Sequence, residues 1–198
     1  MLKDYEEIIR DLKNKIYHTT YILEGDEPFY IDKICDYVEH HILSEAEKSF
    51  NLNIIYGRDT SGIGIATLAK GYPMFGNYQV IIVKEAQSIK NWDAVATYSE
   101  KPLKSTMLFL SFMNEKIDKR SNAVKTLVKN SVVLSTKSLF DNQVPAWIEQ
   151  YVKKEGYKIE TQAAAVLADY TGKELSRISN QLDKLMLNVK KEVPISIG

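Results

Sequence analysis

The chain has a single cysteine, Cys35, no excess of either charge, and no long apolar run. One cysteine excludes an internal disulfide and a Cys-rich zinc site; the residue is expected to be a small buried core thiol. Lys plus Arg and Asp plus Glu each total 26, so the formal net charge is zero. No broad basic field exists for tight, unaided binding to a phosphate backbone. Nucleic acid as the sole partner is thereby disfavoured, while a local basic patch stays open. No run of about 18 apolar residues is present to span a membrane. The amino terminus, Met1-Leu2-Lys3-Asp4-Tyr5-Glu6-Glu7, is charged and lacks the apolar centre of a signal peptide. These absences point to a reducing cytoplasm.

What is present is ordinary for a globular protein: 44% hydrophobic and 26% charged residues in a chain of 198. That length suits one large domain, or one medium domain and a small one. Tyr5, Ile8, Ile9, Leu12 and Ile16 recur at helical spacing over residues 4–16. The run Thr20-Tyr21-Ile22-Leu23-Glu24, stopped by Gly25, predicts a buried strand entering a turn. Pro28 suits the first turn of a following helix, with Tyr30, Ile34, Tyr37, Val38, His41 and Ile42 along one face. Further strands are expected at 51–56, 79–83, 106–112 and 132–134, with helices at 63–70, 90–101 and 119–129. Five β-rich runs alternating with helices predict an α/β domain with a parallel sheet covered on both faces.

After residue 140 the strands stop. Pro145 opens a helix carrying Trp147, Ile148, Tyr151 and Val152, which Gly156 ends. Thr161 suits an N-cap for the Ala-rich stretch 162–170, which stops at Gly172. Residues 173–190 place Leu175, Ile178, Leu182, Leu185, Met186 and Val189 on one stripe. The expected organisation is an α/β domain over 1–142 and a three-helix domain over 143–198. The closing run Val193-Pro194-Ile195-Ser196-Ile197-Gly198 has the character of a further element beginning, so the natural protein is expected to continue.

A strand ending in glycine and feeding a helix is where a phosphate-binding loop would sit. That loop needs G-x-x-x-x-G-K-[ST]: glycines expose backbone N–H groups, lysine meets the charge, and a hydroxyl ligates magnesium. Here the stretch is Gly25-Asp26-Glu27-Pro28-Phe29-Tyr30-Ile31-Asp32. Only Gly25 fits. Tyr30 replaces the second glycine, Ile31 the lysine and Asp32 the hydroxyl, while Pro28 removes a donor and Asp26 and Glu27 add negative charge. The metal-holding strand end would carry Asp-Glu; Val80–Val83 ends instead in Lys84-Glu85, with a cation where the first carboxylate belongs. A working ATPase is not expected, and no cofactor or catalytic residue is assigned.

Gly71-Tyr72-Pro73-Met74-Phe75-Gly76-Asn77 has the opposite character. Turns usually carry polar side chains, yet this one holds large apolar residues between glycines. Pattern alone leaves two readings: Met74 and Phe75 fold back onto the sheet edge, or they stand out as a pre-ordered apolar plug for a partner. His40-His41 has no carboxylate or cysteine arranged with it for a metal, and is expected at the surface. The charged residues of 114–129, among them Lys116, Lys119, Arg120, Lys125 and Lys129, predict a solvated face, and Arg177 a salt bridge.

Several stretches, taken in order, resemble the delta subunit of bacterial DNA polymerase III. They are Tyr21–Phe29, Tyr72-Pro73-Met74-Phe75-Gly76, the strand Val80–Val83, Lys116-Ile117-Asp118-Lys119-Arg120, Val144-Pro145-Ala146-Trp147-Ile148 and Gly172-Lys173-Glu174-Leu175-Ser176-Arg177. The resemblance implies an AAA+-type α/β domain followed by a small three-helix lid domain. It implies a clamp-loader subunit that binds and opens the sliding clamp without hydrolysing ATP. Its implied partners are the clamp, the gamma/tau and delta prime subunits and, through the complex, primed DNA; no membrane is involved.

In that family an apolar pair in the turn before the central strand enters a pocket of the clamp. Those positions fall on Met74 and Phe75, with Tyr72, Pro73 and Leu68 shaping the surface around them. Met74 departs in shape from the leucine or phenylalanine common there, but its flexible thioether suits a pocket. The competing readings are an active P-loop ATPase with an irregular loop, which ATP binding would reveal, and an unrelated α/β scaffold using the same turn on another partner.

Overall fold

The computed structural model describes residues 1–197. The chain divides into two compact units between Lys137 and Ser138, ahead of the boundary expected after residue 142. The last strand ends at Thr136, and the 3-10 turn Asp141–Gln143 packs on the helix it leads into, so the linker residues belong with the second unit.

The first unit holds five parallel strands: β1 (Thr20–Gly25), β2 (Leu52–Tyr56), β3 (Gln79–Lys84), β4 (Thr106–Ser111) and β5 (Val132–Thr136). Their order is β2-β3-β4-β1-β5. Its α-helices are α1 (Tyr5–Lys13), α2 (Pro28–His41), α3 (Glu45–Asn51), α4 (Gly62–Ala69), α5 (Asp93–Glu100) and α6 (Asn122–Lys129). Successive strand residues point to opposite faces. Tyr21, Leu23, Ile82 and Phe109 pack with Ile8 and Leu12 of α1 and Ile31 and Ile34 of α2. Ile22, Ile81, Val83 and Leu108 pack with Ile65 of α4, Val95 of α5 and Leu127 of α6. Burial on both sides is why β1, β3 and β4 are nearly continuous apolar runs. Each fully buried Ile, Leu or Phe contributes about 1.5–3 kcal/mol.

The two sheet edges differ. Beside β5, the amino terminus adds a bridge in which Val133 N–H donates to Met1 O at 2.8 Å and Lys3 N–H to Val133 O at 3.0 Å. At the other edge β2 leaves Ile54 and Tyr56 exposed.

Several local expectations are corrected. Helix α1 stops at Lys13, where Asn14 caps it and Lys15 turns left-handed, so Ile16 is exposed. The buried face of α2 is Phe29, Ile31, Ile34, Cys35 and Val38; His41 lies outside it. Helix α3 was not expected at all. It is started by a reciprocal Ser44–Glu47 capping box, which satisfies two orphan N–H groups, and it claims Asn51, so the strand begins at Leu52. Helix α6 begins at Asn122, not 119, because Asp118 ties down Arg120 in a turn and Ser121 provides the cap.

In the second unit, α7 (Val144–Lys154), α8 (Thr161–Thr171) and α9 (Leu175–Asn188) are the α-helices among the described residues. Gly156 adopts φ +81° just after α7, a conformation that favours glycine. Thr161 is the first residue of α8, not its cap; Glu160 holds that position without a side-chain bond. The buried stripe of α9 is Leu175, Ile178, Ser179, Leu182 and Met186; Leu185 is exposed and Val189 lies beyond the helix. Ile195 is buried and bridges to Ile159: its N–H donates to Lys158 O at 2.9 Å, and Glu160 N–H donates to Ile195 O at 2.9 Å.

Candidate functional site

Gly25 lies at the carboxyl end of β1, whereas the turn 71–77 precedes the amino end of β3. Because the strands are parallel, the two regions singled out by the sequence occupy opposite ends of the sheet.

At the carboxyl end the loop after β1 is tied down by the segments at Glu115 and Thr136 and by the Glu27 side chain. Gly25 N–H donates to Glu115 O at 3.0 Å, Asp26 N–H to Thr136 O at 3.2 Å and Glu27 N–H to Thr136 Oγ1 at 3.1 Å. Phe29 N–H donates to the carboxylate of Glu27 at 3.2 Å. Four backbone N–H groups of this stretch, those of Gly25, Asp26, Glu27 and Phe29, are therefore engaged within the protein. Gly25 adopts φ +127°, and a Cβ there would lie 2.2 Å from Thr136 O, so this glycine serves the close approach of β1 to its parallel neighbour β5. Ile31 is fully buried among core side chains, and Tyr30 packs its ring 5.0 Å from Tyr5.

Asp32 is exposed, and its carboxyl is held above the usual range by loss of hydration and by Asp36, against an opposing pull from Lys84. Lys84 closes β3, and Glu85 follows with φ +53° at the start of a 3-10 turn. Glu24 is a structural residue that the sequence did not single out. Its fully buried carboxylate accepts from Ile117 N–H at 2.9 Å and from Lys119 Nζ at 2.9 Å. Lys119 is exposed on the face expected of residues 114–129 while its Nζ reaches back to Glu24; Arg120 is exposed and forks onto Asp118.

At the opposite end, the turn presents its large side chains outward. Tyr72 is 77% exposed, Met74 54% and Phe75 81%. Pro73 is half-buried, and Leu68, on α4, packs partly against the core beneath. Helix α3 frames this turn. Asn51, 1% exposed, donates from Nδ2 to Met74 O at 2.7 Å and accepts at Oδ1 from Met74 N–H at 2.7 Å. A Cβ on Gly76 would lie 2.4 Å from Glu47 Oε1, and that carboxylate is held by Ser44 N–H and Oγ at 2.9 and 2.7 Å. Phe75 adopts φ +54°, a left-handed conformation that disfavours a bulky residue by roughly 1–3 kcal/mol. An exposed aromatic in such a backbone depends on its surroundings to stay there.

The remaining expectations place simply. His40 and His41 are exposed, each with Nδ1 at hydrogen-bond distance from the carbonyl four residues earlier. Cys35 is buried, and burial pushes its thiol up to about 12. Arg177 is exposed and, among the described residues, forms no ion pair, contrary to the salt bridge expected. Among the described residues no three His, Cys, Asp or Glu side chains gather as for a metal, and no helix is long and apolar enough to cross a membrane.

The chain is 25% identical over 190 residues to the DNA polymerase III subunit delta of Bacillus subtilis (strain 168), covering 90% of this chain and 54% of that protein. It therefore spans about half the length of that relative. Its fold matches the solved Bacillus subtilis DNA clamp loader delta protein with a TM-score of 0.79 at 22% identity, over 97% of this chain and 60% of that one. A gamma subunit-related protein from Thermotoga maritima matches with a TM-score of 0.50 at 12% identity, over 94% and 63% of the two chains. These neighbours place the α/β unit among AAA+-type folds. The family model for the DNA polymerase III delta subunit matches residues 21–137, more than half of the sequence. The chain belongs to the DNA polymerase III delta-subunit family.

Proposed function

We propose that this chain binds the sliding clamp through Met74 and Phe75, with Tyr72 beside them, and favours the open ring without hydrolysing ATP. The observation that carries the reading is the outward presentation of two apolar side chains on a turn clamped from below by Asn51. Pre-ordering lowers the entropy lost on binding, and a buried Met or Phe contributes roughly 1.5–3 kcal/mol. A ligand shifts an equilibrium only by its differential affinity for the two states. A plug that fits its pocket best when the ring interface is sprung therefore favours opening with no chemistry at this subunit.

The engaged N–H groups around Gly25 and the buried Ile31 support a degenerate nucleotide site. ATP turnover then resides in the gamma/tau subunits, with delta prime completing the loader and primed DNA reached through the complex in the cytoplasm. The units from Met1 and from Ser138 act as the AAA+-like domain and its lid.

Surface plasmon resonance against the cognate clamp tests the plug. Met74→Ala with Phe75→Ala is expected to keep the circular dichroism of the parent and to lose on the order of 4 kcal/mol, roughly a thousandfold in affinity. Unchanged affinity overturns the reading.

A further inference from the structure

Segment 72–77 is exposed apart from the half-buried Pro73, and its ring contact is the edge of Phe75 against Phe50. Among the described residues, its backbone hydrogen bonds are the two that Met74 exchanges with the side chain of Asn51. Asn51 is itself sunk to 1% exposure at the end of α3, so water competes poorly for either bond. A primary amide is the side chain that offers a donor and an acceptor side by side. It can thus grip one residue's N–H and C=O together. Asparagine here does for the turn what a neighbouring strand does for a β-residue.

Resting on the clamp-binding reading above, we propose that Asn51 is the positioning residue of the site. It holds Met74 and Phe75 in their presenting geometry, so affinity for the clamp depends on a side chain that is buried beneath the turn. The left-handed φ of Phe75 sharpens the dependence. Without the grip on Met74, the turn relaxes toward ordinary backbone angles, and the plug must be re-ordered at each encounter. The effect is confined to the turn, because the Ser44–Glu47 capping box starts α3 independently and β3 is held by its own ladder.

The test uses the 198-residue chain and two readouts. Amide hydrogen exchange on the free protein is expected to show Met74 exchanging about tenfold faster or more in Asn51→Ala, with Val80–Val83 and the melting temperature unchanged. Clamp affinity by surface plasmon resonance is expected to fall on the order of tenfold to a hundredfold. Asn51→Asp keeps the acceptor for Met74 N–H but sets a carboxylate against Met74 O; it should preserve Met74 protection in part and bind between the other two.

If wild type binds the clamp and Asn51→Ala binds equally well, the positioning role is wrong. Equal Met74 exchange, or a loss of protection spread through β3 with a lowered melting temperature, overturns it as well. If wild type fails to bind, the clamp reading falls, and the exchange arm still decides whether Asn51 orders the turn.

Discussion

The ring of Phe50 stands edge-on to the ring of Phe75, with centroids 5.7 Å apart and planes at 67°. Phe50 is 55% exposed at the end of α3, so the pair adds a second exposed aromatic ring to the turn. Edge-to-face aromatic pairs add about 0.5–1.5 kcal/mol beyond area. Phe50→Ala is therefore expected to weaken clamp binding by roughly threefold to tenfold, far less than loss of the plug itself. Titration against immobilised clamp measures it; an effect as large as that of the Met74, Phe75 double variant would make Phe50 the anchor instead.

Restoring the missing lysine should not restore a nucleotide site. Ile31 has no exposed surface, so Ile31→Lys forces a cation into the α2 core while the neighbouring N–H groups remain engaged. The expected outcome is a loss of stability on the order of 3 kcal/mol or more in urea and no calorimetric signal with ATP. Saturable ATP binding by either the parent or the variant contradicts the closed-loop account.

Glu24 and Lys119 should respond unequally although they form one ion pair. Glu24 is buried and also holds Ile117 N–H, whereas the side chain of Lys119 is 50% exposed. Glu24→Ala leaves a buried amide without its acceptor, and about 1–3 kcal/mol is expected to be lost. Lys119→Met strands the buried Glu24 carboxylate without its cation, and a larger loss, on the order of 3 kcal/mol or more, is expected. Urea midpoints compare the two, and a Lys119→Met loss below that of Glu24→Ala would show that water replaces the ammonium.

Cys35 sets an alkaline limit on stability. Burial raises its thiol to about 12, while in the unfolded chain it ionises near about 8.5. The folded state then holds a proton that the unfolded state releases. Its contribution is complete below the unfolded value and is lost as pH rises from there toward the folded one. Cys35→Ala is expected to flatten that alkaline fall in urea titrations. Ellman's reagent should label the native thiol only as the chain opens; rapid labelling under native conditions rules the buried assignment out.

The sheet was legible in the sequence because a strand buried on both faces must be apolar almost throughout. Val80–Val83 and Leu108–Leu110 leave little room for another reading. The departures from the phosphate-loop pattern at Ile31 and Lys84 were equally legible, since they rest on residue identity alone. Helix α3 went unread although Ser44-Glu45-Ala46-Glu47 carries the S-x-x-E capping signature. Glu24 gave no local signal, because its partner Ile117 lies 93 residues away.

Element type, apolar alternation and the chemistry of each side chain were determined by the amino-acid order, since they depend on neighbours within a few positions. Which face Phe75 turns to solvent, and that Asn51 grips Met74 from beneath, were decided only when α3 and the turn met in space. Hydrogen bonds across 23 residues are set by three-dimensional packing, and no local pattern in the chain encodes them.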